Sequence, residues 1–107
     1  VITLYVKPLS VNLAWQGKRF KSKQYKEYEE AVLLMLPAMK LPLPPYRINL
    51  EYGFSNMASD VDNPTKPIVD ILQKKYGFND KHVMVMHLEK KIVSKGKEYI
   101  KIDIQTL

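Results

Sequence analysis

The run from Tyr46 to Phe54 constrains this chain more than any other stretch. Tyr46, Ile48, Leu50, Tyr52 and Phe54 alternate with Arg47, Asn49 and Glu51. Side chains along a strand point to opposite faces with period two, so this pattern is a half-buried strand with one apolar and one wetter face. That arrangement suits antiparallel pairing. A single strand cannot bury its own apolar side, so the fold must bring sheet partners beside it and a second layer over it.

The rest of the chain supplies both. Val1 to Val6 is β-branched and aromatic, a strand ended by Pro8. Lys7 to Lys21 reads as a loop. Ser22 is a helix N-cap, and Tyr25, Tyr28, Val32, Met35 and Leu36 follow at three- and four-residue spacing, an amphipathic helix that Pro37 breaks. Glu27, Glu29 and Glu30 read as its solvated face. Pro42, Pro44 and Pro45 mark a stiff connection into the Tyr46 strand. In the second helix Asn63 is the expected N-cap, Pro64 the first helical position and Gly77 the C-cap, with Ile68, Ile71, Leu72 and Tyr76 as the buried stripe. Pro67 falls among the free N–H groups of the first turn, where it is tolerated. His82 to Val93 is a long strand, Ser94 to Lys97 a hairpin turn, and Tyr99 to Leu107 the return strand with Ile100, Ile102 and Ile104 on its buried face. The order β-α-β-α-β-β predicts a single α/β (α+β) domain over residues 1–107. Its expected form is a small mixed sheet of about four strands with two helices on one face.

Composition narrows the partners. The chain has 107 residues and a formal charge of +6, with 15 lysines among its 17 basic residues. A basic surface suits a polyanion, and lysine suits sequence-blind phosphate contacts better than bidentate base reading. There is no cysteine, hence no disulfide framework and no thiolate metal site, and a reducing, cytoplasmic setting fits. No apolar run approaches the length of a membrane span, and no signal peptide is visible.

Against that basic background, four of the five aspartates fall between residues 60 and 80: Asp60, Asp62, Asp70 and Asp80. Grouping them is unfavourable unless a cation sits among them. On an extended segment Asp60 and Asp62 would share one side, just ahead of a helix N-terminus. A hard cation such as Mg²⁺ is the natural occupant, since it needs one or two carboxylates plus waters and substrate phosphate. Such ions activate water in phosphodiester hydrolysis, and Lys66, one turn into the helix, is placed to offset developing charge. A plain capping turn with solvated acids accounts for the same residues.

Asp60-Val61-Asp62-Asn63, then Lys66, Asp70, Leu72, Gly77-Phe78, Asp80 and Val83, resembles the signature of the RusA family of Holliday-junction resolvases. Pro8-x-Ser10-x-Asn12, the aromatic–basic loop after it, the length and the last two strands are similar too. The resemblance implies a homodimeric, Mg²⁺-dependent crossover junction endodeoxyribonuclease, bacterial or phage-encoded, with no small-molecule cofactor. Such an enzyme binds four-way junction DNA and makes paired nicks during recombination and repair. It implies that Asp60, Asp62 and Asp80 hold the metal and that Lys66 completes the catalytic set. Asp70 matches a motif position, and it also reads as a helix-surface partner of Lys66 or Lys74. Two departures stand out: Asn56-Met57-Ala58-Ser59 occupies a place where the family often has a basic residue, and Asn79-Asp80 stands where it often has two acids.

A helix from Pro64 to Tyr76 would be roughly 20 Å long. Asp60 and Asp62 precede it and Asp80 follows it, so a straight helix separates them. Either residues 77–79 fold back, or Asp80 serves the site of a partner subunit. Lys18, Arg19 and Lys21, interleaved with Trp15 and Phe20, are candidates for gripping nucleic acid, although the two aromatics also read as pins to the core. Lys81 is a further phosphate candidate. His82, beside it, reads either as a DNA contact or as a strand-edge histidine; His82 and His87 are not at metal-ligand spacing. Lys90, Lys91, Lys95 and Lys97 read as a phosphate-contacting cluster or as a solvated turn. A non-catalytic nucleic-acid-binding module of the same fold remains the alternative function.

Overall fold

The computed structural model describes residues 1–10 and 21–107, together with the backbone of Trp15, Gln16 and Phe20. Its elements in chain order are β1 (Ile2–Leu4), β2 (Trp15–Gln16), β3 (Phe20–Lys21), α1 (Lys23–Met35), β4 (Tyr46–Phe54), α2 (Thr65–Tyr76), a 3₁₀ turn (Asp80–His82), β5 (Val83–Ile92) and β6 (Tyr99–Thr106). Four strands form one mixed sheet in the order β1-β6-β4-β5, and both helices cover the same face of it. The expected fold class stands. Where a loop was expected before α1, β2 and β3 make a short antiparallel ladder, with Trp15 opposite Lys21 and Gln16 opposite Phe20.

The alternation of β4 sorts the sheet into two faces. Ile48, Leu50 and Tyr52 lie in register with Ile104, Ile102 and Ile100 of β6. They pack against Tyr25 and Val32 of α1 and Ile68, Ile71 and Leu72 of α2. Burying each of these side chains contributes about 1.5–3 kcal/mol. The other face, with Arg47, Asn49 and Glu51, has no helix over it. Ser22 caps α1 as expected, its Oγ accepting from the Tyr25 N–H at 3.0 Å. Gly77 ends α2 at φ 73°, a left-handed conformation that side chains with a Cβ disfavour.

Three expectations are corrected. The turn at Ser94–Lys97 forms, with the Lys97 N–H bonded to the Ser94 carbonyl at 2.9 Å, but it does not join a hairpin. β4 lies between β5 and β6, pairing parallel with β5 and antiparallel with β6. The connection passes over the end of β4, where the Val93 N–H donates to the Phe54 carbonyl at 2.7 Å. β4 is therefore a central strand in a mixed environment rather than part of an antiparallel pair alone. Second, Glu29 is not solvated: its side chain is 14% exposed, clasped by Lys21 at 2.8 Å and Lys74 at 3.1 Å. Burial pushes its carboxyl up, but the hydrogen bonds from those two lysines outweigh burial and leave it below its ordinary value. Third, α2 begins at Thr65 with Pro64 at the cap position and no side-chain cap, so Asn63 does not cap it.

Candidate functional site

Asp60 to Pro64 is a pair of overlapping turns rather than an extended segment. The Asn63 N–H bonds to the Asp60 carbonyl at 3.3 Å and the Thr65 N–H to the Asp62 carbonyl at 3.0 Å. A turn does not obey the period of two, so Asp60 and Asp62 diverge: Asp62 lines an open trough between α2 and β5, and Asp60 is exposed outside its lining. Two groups from the sheet brace this turn. Lys90 Nζ on β5 donates to the Ser59 carbonyl at 2.7 Å and, at 3.5 Å, to that of Met57. The Tyr52 hydroxyl meets Thr65 Oγ1 at 2.8 Å.

The trough has a volume of about 580 Å³ and brings Asp62, Lys66 and Asp80 onto one surface. Its floor and far wall are apolar, formed by Val69 of α2 and by Val83, Met84, Val85, Met86 and Leu88 of β5. Met84 is 64% exposed and Met86 40%. Asp62 lies at the start of α2 and Asp80 beyond its end, so the acids stand at opposite ends of the trough. Twelve helical residues separate them, about 18 Å at the usual rise.

A chain of hydrogen bonds runs along α2 between those ends. Lys66 Nζ donates to Asp70 Oδ1 at 2.9 Å, and Gln73 Nε2 reaches the same oxygen at 3.4 Å. Gln73 Oε1 in turn accepts the Asp80 backbone N–H at 3.0 Å. The residues after Gly77 thus fold back only far enough to hook Asp80 onto the last turn of the helix. Asn79 Oδ1 caps the 3₁₀ turn through the Lys81 N–H at 3.0 Å. Asp70 is the helix-surface partner of Lys66, which supports the simpler of its two readings.

The expected trio Asp60, Asp62 and Asp80 does not converge within one chain. Among the described residues no group of three His, Asp or Glu side chains is arranged to hold a metal ion. The donor chemistry suits Mg²⁺, with exposed carboxylates beside a helix start, but one chain brings only part of the set to any one point. Of the nucleic-acid candidates, Lys21 is committed to Glu29 and sits 4.9 Å above the Tyr25 ring. Lys18 and Arg19, with the side chains of Trp15 and Phe20, lie outside the described residues. Lys81 and His82 are exposed on the 3₁₀ turn. Lys90 is turned inward to Ser59, and Lys91 pairs with Glu51 at 3.3 Å and Glu89 at 3.6 Å. The solvated-turn reading fits Lys95 and Lys97, which make no ion pair among the described residues. Lys90 and Gln73 were missed as bracing groups, because their partners are set by tertiary approach and not by spacing.

Among the described residues no helix is long and apolar enough to cross a membrane. No protein-family model matches the chain, and no curated protein sequence matches it.

Proposed function

We propose that this chain is a Mg²⁺-dependent, structure-selective DNA endonuclease of the RusA type, acting as a homodimer on four-way junctions by paired nicks. The observation that carries the reading is the trough with Asp62 and Lys66 at one end and Asp80 at the other. A two-fold axis through the middle of such a trough sets the Asp62 end of one copy against the Asp80 end of its partner. Two composite sites result, each with acids from both subunits. The exposed Met84 and Met86 provide apolar surface for that pairing to bury.

Within each site Asp60 and Asp62 supply hard oxygen donors and Asp80 of the other copy completes the set. The bound metal would supply an activated water and charge stabilisation. Lys66, with a side chain 61% exposed, exchanges Asp70 for a phosphate oxygen and offsets the charge that builds there. Asp70 and Gln73 hold Lys66 and Asp80 in register along α2. Lys81 meets the phosphate backbone. The paired nicks follow from two equivalent sites.

The test is cleavage of a synthetic four-way junction with Mg²⁺. Asp62→Asn should abolish nicking while junction binding persists. Mixing Asp60→Asn with Asp80→Asn protein should restore one active site per heterodimer, and no regained cleavage would count against sharing. The separation of the acids within one chain also fits the alternative, a non-catalytic nucleic-acid-binding module. Junction binding without cleavage in the presence of metal would select it. Competition among junction, fork and linear duplex measures how strict the structural preference is.

A further inference from the structure

The face of the sheet that no helix covers divides into two unlike halves. One half carries His87, Asn49 and Asp103 in a single row across β5, β4 and β6, with Glu89 in the next row. The other half is aromatic and cationic. There Thr3, Tyr5, Glu51, Lys97, Tyr99 and Lys101 surround an open depression of about 470 Å³.

Tyr99 is fixed in place. It stands opposite Gly53 on β4, and a Cβ at Gly53 would lie 2.4 Å from its ring carbons. The ring therefore lies flat against the backbone, which only glycine permits there. Its hydroxyl donates to Glu51 Oε2, so rotation is restrained at the far end as well. Beside it, the β1–β6 register of Thr3 with Lys101 and Leu4 with Ile100, extended by one residue, sets Tyr5 across from Tyr99. Tyr5 is 77% exposed. A large aromatic left this open is unfavourable unless something covers it.

The charges around the pair are unequal. Glu51 is engaged by the Tyr99 hydroxyl and by Lys91. Glu98 accepts the Gly96 N–H at 2.8 Å. Among the described residues Lys97 and Lys101 make no ion pair, so the depression presents two uncommitted ammonium groups next to two phenol rings. Aromatic faces take bases by stacking and the flanking lysines take phosphates, without regard to sequence. A duplex hides its base faces, so this surface matches only unpaired nucleotides.

We propose that Tyr5 and Tyr99, flanked by Lys97 and Lys101, form a stacking platform for single-stranded nucleic acid on the sheet face opposite the trough. The platform is independent of the metal and of cleavage. A strand one or two bases long fits across it, with its backbone along the lysines.

The experiment compares a fluorescein-labelled oligo(dT) of roughly 12 nucleotides with an abasic strand of equal length, in the absence of divalent metal. Wild-type protein should bind the oligo(dT) about tenfold more tightly, the scale of one stacked base. Tyr5→Ala, at an exposed position, should close that gap. Lys101→Glu should weaken both strands alike and flatten the salt dependence. Equal affinity of wild type for the two strands, or an unchanged gap in Tyr5→Ala, overturns the proposal. A change of oligomeric state in Tyr5→Ala with unaltered oligonucleotide affinity assigns the face to a second copy instead, and also overturns it.

Discussion

The two ends of α2 carry the same kind of residue and are built in opposite ways. At the start, the turn that bears Asp60 and Asp62 has no side-chain cap of its own. It is held by Lys90, 31 residues downstream, and by Tyr52, 13 residues upstream of Thr65. At the far end every partner is local. Gly77 closes the helix through the Gln73 carbonyl at 2.8 Å, Gln73 holds the Asp80 N–H, and Asn79 caps the next turn. The start of the helix is thus fixed by the sheet, and its end by its own sequence. Disturbance of the sheet should reach Asp62 and leave Asp80 in place.

The largest test of that contrast is Lys90→Met. It keeps the apolar stem and removes the ammonium that holds the Ser59 carbonyl. Junction nicking should fall on the order of 100-fold, the scale of a displacement of about 1 Å in a reacting group. Amide hydrogen exchange should rise over residues 57–64 and stay unchanged over 77–83; a uniform rise would break the comparison. Gly77→Ala works at the other end. Forcing a Cβ into φ 73° should cost about 1–2 kcal/mol in denaturant unfolding, with exchange rising over 76–82 first. Gln73→Ala should cost less, about 0.5–1 kcal/mol, and loosen Asp80 while the Asp62 turn keeps its protection.

The smallest effect comes from the uncovered sheet face. The hydrogen bond to Glu51, then burial and the nearby acids, push the Tyr99 phenol up to about 12 from an ordinary value near 10. Its folded value is the higher one, so its contribution to stability is fully present below about pH 10 and is lost as pH rises toward 12. Absorbance titration should show one late-ionising tyrosine that disappears in Tyr99→Phe. The same variant should let the Glu51 carboxyl rise, since that hydrogen bond is the largest influence lowering it. Neither change should alter exchange at either end of α2.

What was legible in the sequence follows the same division. Ser22 and Gly77 were readable as caps because a cap is a local bargain between one side chain or one φ angle and the adjacent turn. The alternation of Tyr46 to Phe54 identified the buried face because period two survives any choice of partner. Partners themselves were not readable. Ser94 to Lys97 makes the turn that its residues favour, yet a turn does not reveal whether another strand will enter between its arms. Six residues between Ile92 and Tyr99 were the available signal, since a tight hairpin uses two to five. Glu29 carried no local mark of its ion pairs because Lys74 reaches it from 45 residues away. For the same reason Asp60-x-Asp62 looked like a pair on one side, when the chain turns between them.

The position of β6 has a consequence for synthesis. It is the strand made last, and it alone joins β1 to β4. Until it emerges from the ribosome, β1 has no hydrogen-bonding partner and β4 keeps an open edge. The growing chain must therefore carry its first strand unpaired through nearly the whole of translation, the period in which exposed strand edges are most prone to association. Lys101, on the middle of that last strand, then does its first service by ending this exposure, as part of the piece that locks the sheet at once rather than in stages.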